Sequence, residues 1–196
     1  MKLFMDSSTN YLYLALYDNG KEISTLVKDS RNRHSETIID NLETFLKQNA
    51  VEMNDIDSVF VGKGPGSYTG IRISGTICKV LALVKKIKLY SFSSLDLMLV
   101  SKLEIDGTYL VRTIAKKNHS YYKLANIKNQ KITFLKSDAF AIDDELVPFD
   151  TYQKVEASLE LYQNKDLAKK LFEKGLYQEE DVFNYVPNYL RSEING

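Results

Sequence analysis

The residues best suited to chemistry are Gly64-Pro65-Gly66-Ser67-Tyr68-Thr69-Gly70, between a strand-like run (58–62) and a helical pattern from about Ile71 to Val84. A strand, a glycine-rich turn and a helix start present free backbone N–H groups and the positive end of a helix dipole to an anion. The spacing nevertheless fits no standard fingerprint. A phosphate-binding P-loop ends in Gly-Lys-Ser/Thr, whereas Lys63 here precedes the glycines. The dinucleotide pattern fails because Gly66 and Gly70 are too widely spaced, and Pro65 stands where a nucleophile elbow around Ser67 needs its first glycine. A purely structural turn satisfies the same pattern, since glycine admits positive φ and close strand–helix approach. Motif rules leave both readings open.

Other reactive side chains are few. The chain has two histidines, His34 and His119, far apart in sequence, and one cysteine, Cys78, inside an apolar run. That supply predicts no metal site. Ser67 has no His and Asp partners with motif support, so no catalytic residue is assigned. Asp6-Ser7-Ser8-Thr9 together with the glycine loop could instead hold phosphates around a magnesium ion, which would make the chain an ATP-binding phosphotransferase or ATPase.

Composition narrows the classes further. With 196 residues, 44% of them apolar, the chain can bury a sizeable core as one large domain or two halves packed together. Its 26 basic and 26 acidic residues balance, which argues against a sequence-independent grip on nucleic acid. The pairs Lys116-Lys117 and Lys169-Lys170 read as solvated surface. A lone cysteine predicts a reduced, cytoplasmic setting. No charged, apolar leader follows Met1 and no apolar run reaches membrane-spanning length, so neither signal peptide nor membrane anchor is expected.

The elements that must position the loop follow from periodicity. Leu3 to Met5 reads as a strand ending at the turn cluster Asp6–Asn10. Leu12, Leu14 and Leu16 share one face of a second strand, Asn19-Gly20 marks a hairpin, and Glu22 to Val27 returns. Ile38, Ile39, Leu42, Phe45 and Leu46 form the stripe of a helix after Arg33-His34-Ser35-Glu36, Leu89 to Ser91 reads as a strand, and Ser94 caps a short helix over Leu95 to Ser101. Three further strands follow, Thr108–Ala115, Ser120–Lys128 and Lys131–Leu135, and then helical patterns over Tyr152–Tyr162 and Leu167–Gly175. A run of three strands followed by helices thus occurs twice, and we divide the chain at residues 1–104 and 105–196.

Gly64-Pro65-Gly66-Ser67-Tyr68-Thr69-Gly70-Ile71-Arg72 resembles the glycine signature of the TsaB (YeaZ) family. Asp6-Ser7-Ser8-Thr9, Arg33-His34-Ser35-Glu36 and the closing Pro187-Asn188-Tyr189-Leu190-Arg191 are similar to that family's further motifs, in the same order. The middle motif departs: Ile114 to Tyr121 keeps Ala115 and Tyr121 but lacks the family's Asp and Arg, and the second half is short after Asp150.

The resemblance implies an α/β protein with the duplicated actin/hexokinase-like (ribonuclease H-like) fold, two βββαβα halves with the second shortened. It also implies a non-catalytic scaffold role in making N6-threonylcarbamoyladenosine in tRNA, with no cofactor of its own although the complex uses ATP. Expected partners are a TsaD-like catalytic subunit and a TsaE-like ATPase, with a homodimer when alone and tRNA reached only through the complex. The catalytic relative's metal site needs two histidines one helical turn apart, and here Ile38 stands where the second would fall after His34.

One physical pattern agrees with a partner. At about 100° per residue, Ile73, Ile77, Cys78, Val80, Leu81, Ala82 and Val84 cover roughly 200° of the second helix, against about 120° for the first helix. Full coverage within the chain and a docked partner both account for that excess on pattern alone. The resemblance favours a partner, with the expected contact drawn from Ile38, Leu42, Ile73, Ile77 and Leu81.

Overall fold

The computed structural model describes residues 1–29 and 34–190, with the backbone alone for 34–36. Arg33 and Arg191 of the motifs above lie outside the described residues, as do the side chains of His34, Ser35 and Glu36.

The chain opens with β1 (Lys2–Asp6), β2 (Tyr11–Asp18) and β3 (Lys21–Asp29) as an antiparallel meander. Positive φ at Asn19 and Gly20 makes the tight turn that the Asn-Gly pair predicts. Helix α1 (His34–Gln48) crosses to β4 (Ser58–Gly62), which lies parallel to β1, and α2 (Tyr68–Lys85) crosses to β5 (Lys88–Phe92), parallel to β4. After the short α3 (Ser94–Leu99) the plan starts again. β6 (Gly107–Lys116), β7 (His119–Lys128) and β8 (Lys131–Ile142) form a second meander, and β9 (Gln153–Glu156) lies parallel to β6. The first sheet has strand order β10-β5-β4-β1-β2-β3 and the second β8-β7-β6-β9. Counting within each half, both run third-second-first-fourth, the mark of the duplicated actin/hexokinase-like fold.

The second half is shortened before Asp150 as well as after it, where the sequence predicts the loss. Where α1 bridges third and fourth strands in the first half, the second half uses only a 3-10 segment, Asp143–Phe149, containing Pro148. Tyr152 to Tyr162, expected as one helix, is instead β9 followed by the single turn α4 (Leu159–Tyr162). The reason is tertiary: β6 offers an open parallel edge, and pairing there satisfies backbone groups that a short isolated helix could not hold in water. Helix α5 (Leu167–Glu173) follows, and β10 (Gln178–Glu180) leaves the second half to pair antiparallel with β5.

The first sheet is greasy on both faces because both are covered. Leu3, Met5, Leu12, Leu14, Leu16, Val59 and Val61 face α1 and α2. Phe4, Tyr13, Ala15 and Phe60 face the opposite layer, where Leu95, Leu97 to Val100, Tyr109, Val111 and Leu167 join the halves into one core. A buried charge cluster sits at the same seam: Lys123, 5% exposed, is held between Asp96 of α3 and Asp138 of β8, 2.9 Å away. The β7–β8 register slips beside Lys123, as a bulge does when it re-aims a side chain.

Candidate functional site

The glycine loop is built around the β1–β2 turn. Ser7 Oγ donates to the Gly70 carbonyl (2.8 Å) and Ser67 N–H donates to the Ser8 carbonyl (2.6 Å). A Cβ on Gly66 would overlap the Ser8 carbonyl oxygen, and one on Gly70 the Ser7 carbonyl oxygen. Two chain segments therefore touch backbone to backbone, and only glycine leaves room. Gly64 closes the other side: its carbonyl accepts from Ser94 N–H at 3.0 Å. Ser67 is the N-cap of α2, its hydroxyl accepting from Gly70 N–H at 3.2 Å. The loop's glycines and its serine thus have structural work, which favours the turn reading over the ligand reading.

Beneath the loop lies a buried polar cluster. Asp6, 2% exposed, accepts from Ser8 N–H at 2.8 Å through Oδ1. Its Oδ2 and the hydroxyls of Ser8, Ser93 and Ser94 are buried without a hydrogen bond of good geometry. Burial pushes the Asp6 carboxyl above its ordinary range, opposed by the Ser8 amide and by the nearby Ser94 and Ser8 hydroxyls. Above the cluster, a cleft of about 490 Å³ opens between the halves. Ser8, Thr9, Ser67 and Tyr68 line one wall, and the Arg112–Glu156 ion pair (2.6 Å) the other. His119 sits at the far β6–β7 turn, its Nδ1 2.8 Å from the Lys117 carbonyl oxygen. Among the described residues no group of three His, Cys, Asp or Glu converges as metal ligands do.

The second candidate is the outer face of α1 and α2. Ile38 (1% exposed) and Leu42 (6%) are packed into the protomer's own core, which makes them structural residues of α1 first. Their stripe is the one that holds α1 on the sheet. Ile73, Ile77 and Leu81 are half-buried against the same core. Ile73 and Ile77 join Ile38, Ile39, Arg72 and Thr76 around a groove of about 240 Å³ between the helices. The residues left outside are others: Val84 (72% exposed), Val80 (50%) and Leu83 on α2, and Ile39 (66%) on α1. Cys78 and Ala82, counted in the apolar arc, face inward. Leu83 completes the exposed stripe, and its helical spacing from Val80 is the signal by which it could have been found.

The comparisons with known proteins bear on the whole chain. The family described as "TsaD: tRNA N6-adenosine threonylcarbamoyltransferase" matches residues 28–170. The tRNA threonylcarbamoyladenosine biosynthesis protein TsaB of Bacillus subtilis (strain 168) is 29% identical over 127 residues, 65% of this chain and 56% of that protein. The chain thus spans about half the length of the TsaB relatives it matches. A protein of similar extent, MG208 of Mycoplasma genitalium, is 26% identical over 99% of this chain and 96% of its own. The solved structure of YeaZ from Pseudomonas aeruginosa superposes with a TM-score of 0.77, covering 96% of this chain and 99% of that one at 17% identity, a likeness of fold. Motif order, duplicated topology and these matches agree: the chain belongs to the TsaD family and, within it, to the TsaB (YeaZ) group.

Proposed function

We propose that this chain is a non-catalytic scaffold in the biosynthesis of N6-threonylcarbamoyladenosine in tRNA, docking a TsaD-like catalytic subunit through the outer face of α1 and α2. The pair serves as the platform for a TsaE-like ATPase, and alone the chain pairs with itself through the same face. tRNA is reached through the complex, ATP is consumed by the complex, no cofactor is held by this chain, and the work is cytoplasmic. The observation that carries the reading is the run of exposed apolar side chains Val80, Leu83 and Val84 on α2, with Ile39 exposed on the neighbouring α1. Single exposed apolar residues are ordinary, but a stripe on one helix marks an interaction surface. The test is co-purification with a TsaD-like subunit and reconstitution of the modification with and without this chain. Wild type should associate and be required, and Val84→Glu should lose association while keeping its fold. Modification at full rate without the chain would overturn the proposal.

One observation favours a second reading, an ATP-binding phosphotransferase. The polar cleft between the halves borders the N-terminus of α2 and the orphaned hydroxyl of Ser8. Calorimetric titration of the isolated chain with ATP and magnesium separates the two, since tight binding with turnover would replace the scaffold reading.

A further inference from the structure

The segment after β10 runs back over α2 and the glycine loop as a strap, Asp181–Leu190. It carries no helix or strand of its own. Besides Val182, which packs partly buried on the core, Lys79 Nζ donates to the Phe183 carbonyl at 3.0 Å, Asn188 N–H donates to the Lys63 carbonyl at 2.7 Å, and the Tyr189 and Tyr68 rings meet at 5.2 Å. Phe183 and Val186 point outward, 79% and 65% exposed. One side chain goes deep: Tyr185, 6% exposed, joins the core between α2 and the sheet. It lies on Gly75, whose missing side chain makes the room, since a Cβ there would stand 3.0 Å from the ring. Cys78 follows on the same flank, fully buried.

This anchor is poorly secured. The Tyr185 hydroxyl is buried with no hydrogen-bond partner, so the residue that holds the strap also bears an uncompensated polar atom. A strap without ladder hydrogen bonds, fixed by one deep anchor, the partly buried Val182 and a handful of surface contacts, opens more readily than the sheet beneath it. Opening would bare the Gly75 flank of α2 beside Cys78 and free the Lys63 carbonyl at the entry to the glycine loop.

We propose that Asp181–Leu190 is a latch: with Tyr185 as its positioning residue, it opens as a local unit, and when closed it holds α2 and the glycine loop in the form that the docking face requires. The second clause rests on the scaffold reading; the first does not.

The single cysteine supplies the assay. Cys78 lies fully buried one turn along from Gly75, its Sγ 4.0 Å from Met5 Sδ, so under the latch reading an aromatic disulfide reagent should reach it when the strap lifts, well before the sheet unfolds. In the full chain, Tyr185→Ala should label on the order of 100-fold faster than wild type, the loss of a buried aromatic anchor. Labelling should depend on urea far more weakly than global unfolding does. Tyr185→Phe should stay protected, because it keeps the ring and removes the orphaned hydroxyl. Gly75→Ala should label faster although alanine favours the helix, because its Cβ crowds the ring. Labelling of Tyr185→Ala and Gly75→Ala no faster than wild type, or a urea slope equal to that of global unfolding, would overturn the latch. Where wild type binds a TsaD-like subunit, Tyr185→Ala should weaken that binding at least tenfold, and unchanged binding would overturn the second clause. Val84→Glu serves as the control: it should lose the partner without exposing Cys78. Failure of wild type to bind would count against the scaffold reading and leave the labelling result standing.

Discussion

Replacing Gly70 by alanine separates the two readings of the glycine loop. In the first turn of an ordinary helix the change would stabilise by about 0.5–1 kcal/mol, because alanine loses less backbone entropy. Here the new Cβ would overlap the Ser7 carbonyl oxygen, which is backbone and cannot swing aside. Either the β1–β2 turn or the start of α2 must retreat. Overpacking of this kind costs about 1–3 kcal/mol. Retreat also stretches the buried bond from Ser7 Oγ to the Gly70 carbonyl, adding about 1–3 kcal/mol if a buried polar atom is left unpaired. Set against the gain in propensity, the net loss is about 1–5 kcal/mol. Urea denaturation at neutral pH, followed by circular dichroism, reads this directly. Ser67→Ala, which removes only the cap, sets the scale at about 1 kcal/mol. A Gly70→Ala protein as stable as wild type, or more so, would show that packing does not require the glycine. Its role would then have to be sought in a ligand.

Other outcomes follow from burial and charge. Ile38→Ala and Leu42→Ala should each cost about 2–4 kcal/mol, because both are core residues. Val84→Glu should stay within about 0.5 kcal/mol of wild type, and the opposite ranking in thermal or urea unfolding would refute the placement of α1. Lys123→Ala should cost about 3–5 kcal/mol by leaving Asp96 and Asp138 buried without their cation; a loss under about 1 kcal/mol would mean that water reaches them. Asp6 has a folded-state pKa raised above its ordinary 3.8, so the native state binds its proton more tightly than the unfolded chain. Its ionisation therefore costs nothing below that value and increasingly more as pH rises through the folded-state pKa. Asp6→Asn, which keeps an acceptor for the Ser8 amide, should gain on wild type over that rise; urea midpoints that run parallel with pH would contradict the buried charge.

Local pattern made much of this protein legible. Alternation at Leu12, Leu14 and Leu16 placed β2, and Asn19-Gly20 placed its hairpin, because side-chain period and turn chemistry are properties of a few adjacent residues. The stripe of α1 was readable for the same reason. Its use was not: the same Ile38 and Leu42 serve a partner or the sheet according to which way the helix is turned, and the sheet takes them.

What only the tertiary structure decided lies where distant segments meet. β9 needed the open edge of β6, β10 the edge of β5, and neither edge is visible in the short runs that fill them. Gly66 and Gly70 were conspicuous in the sequence, yet their reason is the pair of carbonyls at Ser7 and Ser8, some sixty residues earlier. The wide apolar arc of α2 was likewise readable as an excess. Its division among sheet, strap and open surface depends on Tyr185 returning from the far end of the chain to lie on Gly75. Periodicity fixes how much apolar surface a helix carries, and packing alone determines how much of it is left over.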